Sequence, residues 1–191
     1  MPQNRTQEVK RGTKKMSAFI IDIEADGPIP GDFSMIEIGA VLLDREYKTT
    51  FHAKLRPISQ TWLSEALNVT GYSRIETLEW DDPKHVMELF KKWISEVNIK
   101  GRPIFFSDNN GFDWMFTHWY FIHFLGVDSD PFGFSSRNIS DIFKGINHNI
   151  RSNFKHLRKF KHTHNPVDDA KGNASALVEF IDKYNLKGFD I

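Results

Sequence analysis

The sequence predicts an α/β fold, a mixed sheet flanked by helices. Three observations predict it. Apolar, β-branched segments follow one another over short links between Ala18 and Leu55. The stretch from Asp82 to Val97 carries apolar residues at helical spacing. A further strand-like run, Pro103–Ser107, lies between that stretch and a second long helical one.

The elements follow in order. Ala18–Ile23 reads as a first strand, Met35–Leu43 as a second and Thr50–Leu55 as a third. Short links between them predict an antiparallel meander, and Pro57 ends the outer strand. Asp82 is a good N-cap and Pro83 fits the first helical position. Val86, Leu89, Phe90, Trp93, Ile94 and Val97 then form one apolar stripe. The run Pro103–Ser107 is apolar throughout, which predicts a strand buried on both faces. Helices are expected over Phe112–Leu125, over Asn138–Ile146 and from Asn165 to Tyr184. Residues 1–16 are polar and basic, with no apolar run, so they read as a flexible arm and not a signal peptide. Residues 17–191 read as one domain.

Composition narrows the chemistry. There are no cysteines, which excludes disulfide scaffolds, thiolate metal sites and cysteine nucleophiles. Any metal must use carboxylates, imidazoles, carbonyls or water, a donor set that suits Mg²⁺ or Mn²⁺. The 25 basic and 25 acidic residues cancel, so distribution carries the information. No acid occurs between Asp141 and Asp168. That interval holds Lys144, Arg151, Lys155, Arg158, Lys159 and Lys161, with His148, His156, His162 and His164. It is either a solvated loop or a strip that meets phosphates. Aromatics make up 14% of the chain; most serve a core, and some are candidates for stacking on bases.

Three groups of acids stand out. Asp22 and Glu24 lie two apart on the first strand, so both project from one face while Ile21 and Ile23 project from the other. Such a pair is either a solvated strand edge or half of a cation site. Asp113 falls in the first turn of the aromatic helix, where an acid also suits the positive helix end. The segment His164-Asn165-Pro166-Val167-Asp168-Asp169 opens the last helix, with Asn165 as N-cap. Asp168 sits where a capping acid would sit. Asp169 projects from a different face.

Together these segments resemble the three exonuclease motifs of the DEDDh family, which includes ribonuclease T, oligoribonuclease and the proofreading subunit of bacterial replicative polymerase. The first motif is Asp22-x-Glu24 followed by Gly27. The second has Asn109 four residues before Asp113, with Phe112 adjacent. The third places His164 five residues before Asp169, a spacing His162 does not meet. The strand Ile36–Val41 also looks like the family's second strand. The resemblance runs from about Ser17 to Tyr184. The family often has Thr where this chain has Ala25 or Asp26, so Asp26 is an extra acid of open role.

The resemblance implies a ribonuclease-H-like, mixed five-stranded-type sheet and a 3′→5′ exonuclease of bacterial or phage kind. Asp22, Glu24 and Asp169 would bind one Mg²⁺ or Mn²⁺, and Asp22 with Asp113 a second. His164 would act as general base on the attacking water. Gly27, Asn109 and Phe112 would contact the terminal nucleotide, with the Trp62–Gly71 segment near its base. Single-stranded RNA or DNA 3′ ends would be the substrate and nucleoside 5′-monophosphates the product. A cytoplasmic enzyme, bound to no membrane, is expected, with a homodimer left open. An endonuclease on the same fold and a non-catalytic nucleic-acid-binding subunit are the alternatives.

Overall fold

The computed structural model describes residues 16–99, 101–189 and 191. The predicted arm therefore lies outside the described residues, except that Met16 bridges Phe189 near the other end of the chain.

Three strands form the meander: β1 (Ala18–Ala25), β2 (Met35–Leu42) and β3 (Thr50–Lys54). Two short helices follow, α1 (Ser64–Thr70) and α2 (Arg74–Thr77). Then come α3 (Pro83–Val97), β4 (Ile104–Ser107) and α4 (Asn110–Leu125). Strand β5 (Ser136–Asn138), α5 (Ile139–Ile146), a 3₁₀ turn at Lys155–Leu157 and α6 (Pro166–Tyr184) complete the chain.

The sheet order is β3-β2-β1-β4-β5. The first three strands are antiparallel, and β4 and β5 run parallel to β1. The mixed five-stranded sheet is as expected, but β5, α1 and α2 are additional to the elements read from sequence. Asp82 accepts from the His85 N–H, which caps α3 as predicted. Asn165 caps α6 by accepting from the Val167 and Asp168 N–H groups.

Both faces of the sheet are covered. Phe19, Ile21 and Ile23 pack with α3 and α4 residues such as Phe90, Phe116 and Phe121. Ala18, Ile20, Val41 and Phe106 pack with Ala170, Ala174, Leu177 and Ile181 of α6 and with Phe143 of α5. Each fully buried Leu or Phe contributes about 1.5–3 kcal/mol. The small residues of α6 let it lie close to the sheet. Its approach is closest at Gly39, where a Cβ would overlap the Pro166–Val167 peptide. Gly39 is also the register partner of Asp22. The first turn of α6 is thereby set over the strand that carries the paired acids. Among the described residues, no helix is long and apolar enough to cross a membrane.

Candidate active site

The acids come together where β1 and β4 end. Asp22 and Glu24 share the α6 side of β1, and the β1–β2 register shifts just after Glu24. Strand β4 ends at Ser107 and delivers Asp108 and Asn109 to the start of α4, one turn before Asp113. Helix α6 brings Asp169 from the opposite side in its first turn. All four predicted acids line one cavity of about 240 Å³, with Asn109, Phe112, Asp108, Lys155, Arg158 and His162. Ligand atoms of Asp22, Glu24 and Asp169 lie within 4.8 Å of one another, close enough to share an ion.

The electrostatics of this cavity are adverse for bare carboxylates. Burial holds the Asp22 carboxyl well above its usual range; Asp113, Glu24 and Asp169 add repulsion, and Arg158 opposes them. Burial pushes Glu24 up to about 8, reinforced by Asp169, Glu37 and Asp113. Asp113 is also pushed to about 8 by burial, although the Ser107 side chain and the Ile23 backbone bond to it and pull the other way. Asp113 is 2% exposed, and its Oδ2 is buried with no hydrogen-bond partner. Hard, oxygen-only donors with an unpartnered buried lone pair fit a divalent cation.

Asp169 is also the anchor of the histidine segment. Its Oδ1 accepts from the Thr163 N–H at 3.0 Å and its Oδ2 from the His164 N–H at 3.1 Å. His162 Nδ1 stands 2.7 Å from Oδ2. The spacing of five from His164 to Asp169 thus works through the backbone here. His164 has a left-handed φ of 59°, and its ring lies edgewise to His162 with centroids 4.3 Å apart. Both imidazoles are exposed. His162, which the spacing set aside, is the histidine that lines the cavity.

The other expected residues divide. Asn109 is exposed at the cavity, and its carbonyl, not its side chain, caps α4 by accepting from Phe112 and Asp113. Phe112 is half-buried against Phe116, with ring centroids 5.0 Å apart, and faces the cavity. Gly27 has a nearer reason for being glycine than access for a ligand, because a Cβ there would overlap the Phe33 ring. Asp168 accepts from the Thr163 hydroxyl at 3.3 Å and lines no part of the cavity.

Sequence reasoning left three features unassigned, Asp26 among them as an extra acid of open role. Asp26 is wholly buried and turned to structural use: it accepts from the Ser34 N–H and pairs with Arg74 at 2.6 Å. Arg74 also donates to the Ser59 carbonyl, and the Leu63 N–H donates to the Asp26 carbonyl. Arg158 is the second, a guanidinium with a side chain only 9% exposed, donating to Asp108 at 2.9 Å and Asn173 at 2.6 Å. The only advance sign of it was its place in the acid-free interval. Asp108 is the third, and no spacing pointed to it.

A five-stranded mixed sheet with a buried carboxylate cluster at the ends of β1 and β4 defines a nuclease of ribonuclease-H-like fold. Comparison with known proteins agrees. The chain is 38% identical over 139 residues to the 3′-5′ DNA exonuclease Cap18 of Escherichia coli, covering 71% of this chain and 72% of that protein. Among solved structures, the nuclease domain of 3′hExo, a DEDDh family member bound to rAMP, superposes with a TM-score of 0.70 at 20% identity, over 87% of this chain and 92% of that one. A 3′-exonuclease solved in recognition of the histone mRNA stem-loop gives 0.72 at 18% identity, over 90% and 84%. No protein-family model matches the chain. The chain belongs to the DEDDh family of 3′→5′ exonucleases, enzymes that hydrolyse phosphodiester bonds.

Proposed function

We propose that this exonuclease holds two divalent cations, Mg²⁺ or Mn²⁺, on Asp22, Glu24, Asp113 and Asp169, and trims single-stranded DNA from its 3′ end. The observation that carries the reading is the convergence of four acids, from three separate motifs, on one cavity where their ionised forms repel. Cations bound there would neutralise the carboxylates and, as Lewis acids, favour ionisation of water and offset charge on the phosphate.

The chain's own groups supply the rest. His164 takes the proton from the attacking water, a task suited to an imidazole near neutral pH. Asp169 holds the backbone of that histidine, while His162 occupies its Oδ2. Asn109 and Phe112, which line the cavity, receive the sugar or base of the last nucleotide. Products are nucleoside 5′-monophosphates. The preference for DNA rests on the relative from Escherichia coli, whose name specifies DNA. We further propose that the enzyme works in the cytoplasm, and light scattering decides between monomer and homodimer.

The experiment is incubation of the purified chain with 5′-labelled DNA and RNA, as single strands, duplexes and circles, with Mg²⁺, Mn²⁺ or a chelator. A ladder shortening from the 3′ end of linear single-stranded DNA, abolished by chelator, is expected. Cutting of circles would replace the reading with an endonuclease. Equal trimming of RNA would remove the preference for DNA.

A further inference from the structure

Arg158 lines two adjoining cavities. One is the carboxylate cavity; the other, of about 330 Å³, is walled by Lys155, Arg158, Lys159, Phe160, Lys161 and His162. Lys155, Arg158 and His162 face both. No acid lines the second cavity. Lys155 and Arg158 share Asp108, at 3.6 and 2.9 Å. Among the described residues no carboxylate pairs with Lys159 or Lys161. Asp182, whose charge reaches Lys159, is already held by two bonds from Arg45.

The segment is anchored although it lacks regular structure. The Lys159 N–H donates to Ser175 Oγ at 2.9 Å. At Gly172 of α6 an added Cβ would stand 3.2 Å from the Phe160 carbonyl and 3.3 Å from Arg158 Cδ, so the segment lies close against the helix and a side chain there would press it outward by a few tenths of an ångström. Phe160 remains 37% exposed among these cations, with its ring edgewise to Tyr47. A fixed row of cations around an exposed aromatic is the chemistry that holds single strands: cations follow the phosphates and the ring takes an unpaired base.

We propose that this cavity is a second phosphate subsite, which takes the backbone of a single strand next to the phosphodiester that is cut. Of the three side chains that face both cavities, Arg158 is the one fixed between Asp108 and Asn173. The proposal rests on the exonuclease reading of the carboxylate cavity.

The test replaces both exposed lysines, Lys159→Ala with Lys161→Ala, and separately makes Phe160→Ala. Binding of a fluorescein-labelled single-stranded DNA of several phosphates is read by anisotropy across a salt series, with a dinucleotide and a blunt duplex as competitors. The lysine variant should show a log–log salt slope shallower by about 1.4, since each phosphate contact on a single strand contributes about 0.7. Its loss of affinity should be several-fold larger for the long strand than for the dinucleotide. Phe160→Ala should weaken the long strand at least about fivefold. An unchanged salt slope, or an equal penalty on strand and dinucleotide, would overturn the subsite. A duplex gaining as much from the lysines as the single strand would overturn its assignment to single strands. Because binding is read apart from cleavage, a chain that binds on this slope but releases no nucleotide would count against the carboxylate reading and support the subsite.

Discussion

The carboxylate end of the cleft and the basic segment beside it are built in opposite ways. Asp22, Glu24, Asp113 and Asp169 each stand on a strand or a helix whose place is set by buried packing. Residues 147–165 have no regular element beyond one 3₁₀ turn and are held by scattered bonds to Asp108, Asp169, Asn173 and Ser175. The acids are costly to gather, so the scaffold that gathers them must be rigid. The histidines and cations are carried by a segment without regular structure, tied to those elements through Asp108, Asn173, Ser175 and Asp169. The difference separates acids placed by the packing of the core from histidines and cations placed by hydrogen bonds on its surface.

The largest effects should come from the rigid part. Asp22→Ala or Asp169→Ala should bring release of nucleotides below detection while the far-ultraviolet spectrum stays that of the parent. Full activity of either variant with Mg²⁺ or Mn²⁺ would contradict the assignment. The hydrogen-bonded segment should give smaller losses. His164→Ala should lower kcat by about 10²–10⁴, the usual range for a general base, and His162→Ala by less. A reversed order would move the proton acceptor to His162, the residue at Asp169 and at the cavity wall.

A third prediction concerns pH. Glu24 and Asp113 have carboxyls near 8 in the fold, against ordinary values of 4.5 and 3.8. An acid raised in this way favours the fold when protonated, so its contribution is complete below the ordinary value and disappears as pH rises through 8. The Tm of metal-free protein should therefore fall between pH 5 and pH 9, and Mg²⁺ or Mn²⁺ should restore it most at the alkaline end. A flat profile would mean that the cluster is relaxed without a cation. The smallest effect tests the scaffold alone. Gly39→Ala should cost about 1–3 kcal/mol by overpacking against the start of α6, measured by denaturant unfolding. It should also lower activity, because the displaced helix carries Asp169.

The same contrast explains what was legible in the sequence. Strands β1 to β4 and helices α3, α4 and α6 follow from apolar periodicity and from the caps at Asp82 and Asn165. Strand β5 is Ser-Arg-Asn, an edge segment with no apolar alternation, and it pairs because β4 offers a parallel template. Helices α1 and α2 are short and leave Val69 and Ile75 exposed, so no stripe announces them. The acids were legible because regular elements convert spacing into direction. Arg158 was not, since its partner Asp108 is 50 residues away and no local pattern encodes that distance. The preference for His164 came from motif spacing. The structure shows how that spacing can act through the main chain, and it puts the ring of His162 at the cavity.

Asp26 has a further consequence for how this chain can vary. Its carboxylate fastens Ser34 and Arg74, and its carbonyl fastens Leu63. Three stretches remote in sequence are thus gathered at one residue. The excursion from Gly27 to Phe33 and the segment from Arg56 to Ser73 therefore cannot change length independently, for slack in either loosens the other. An inserted residue that most surface loops would tolerate should here be felt at Trp62 and Leu63, well away from the insertion.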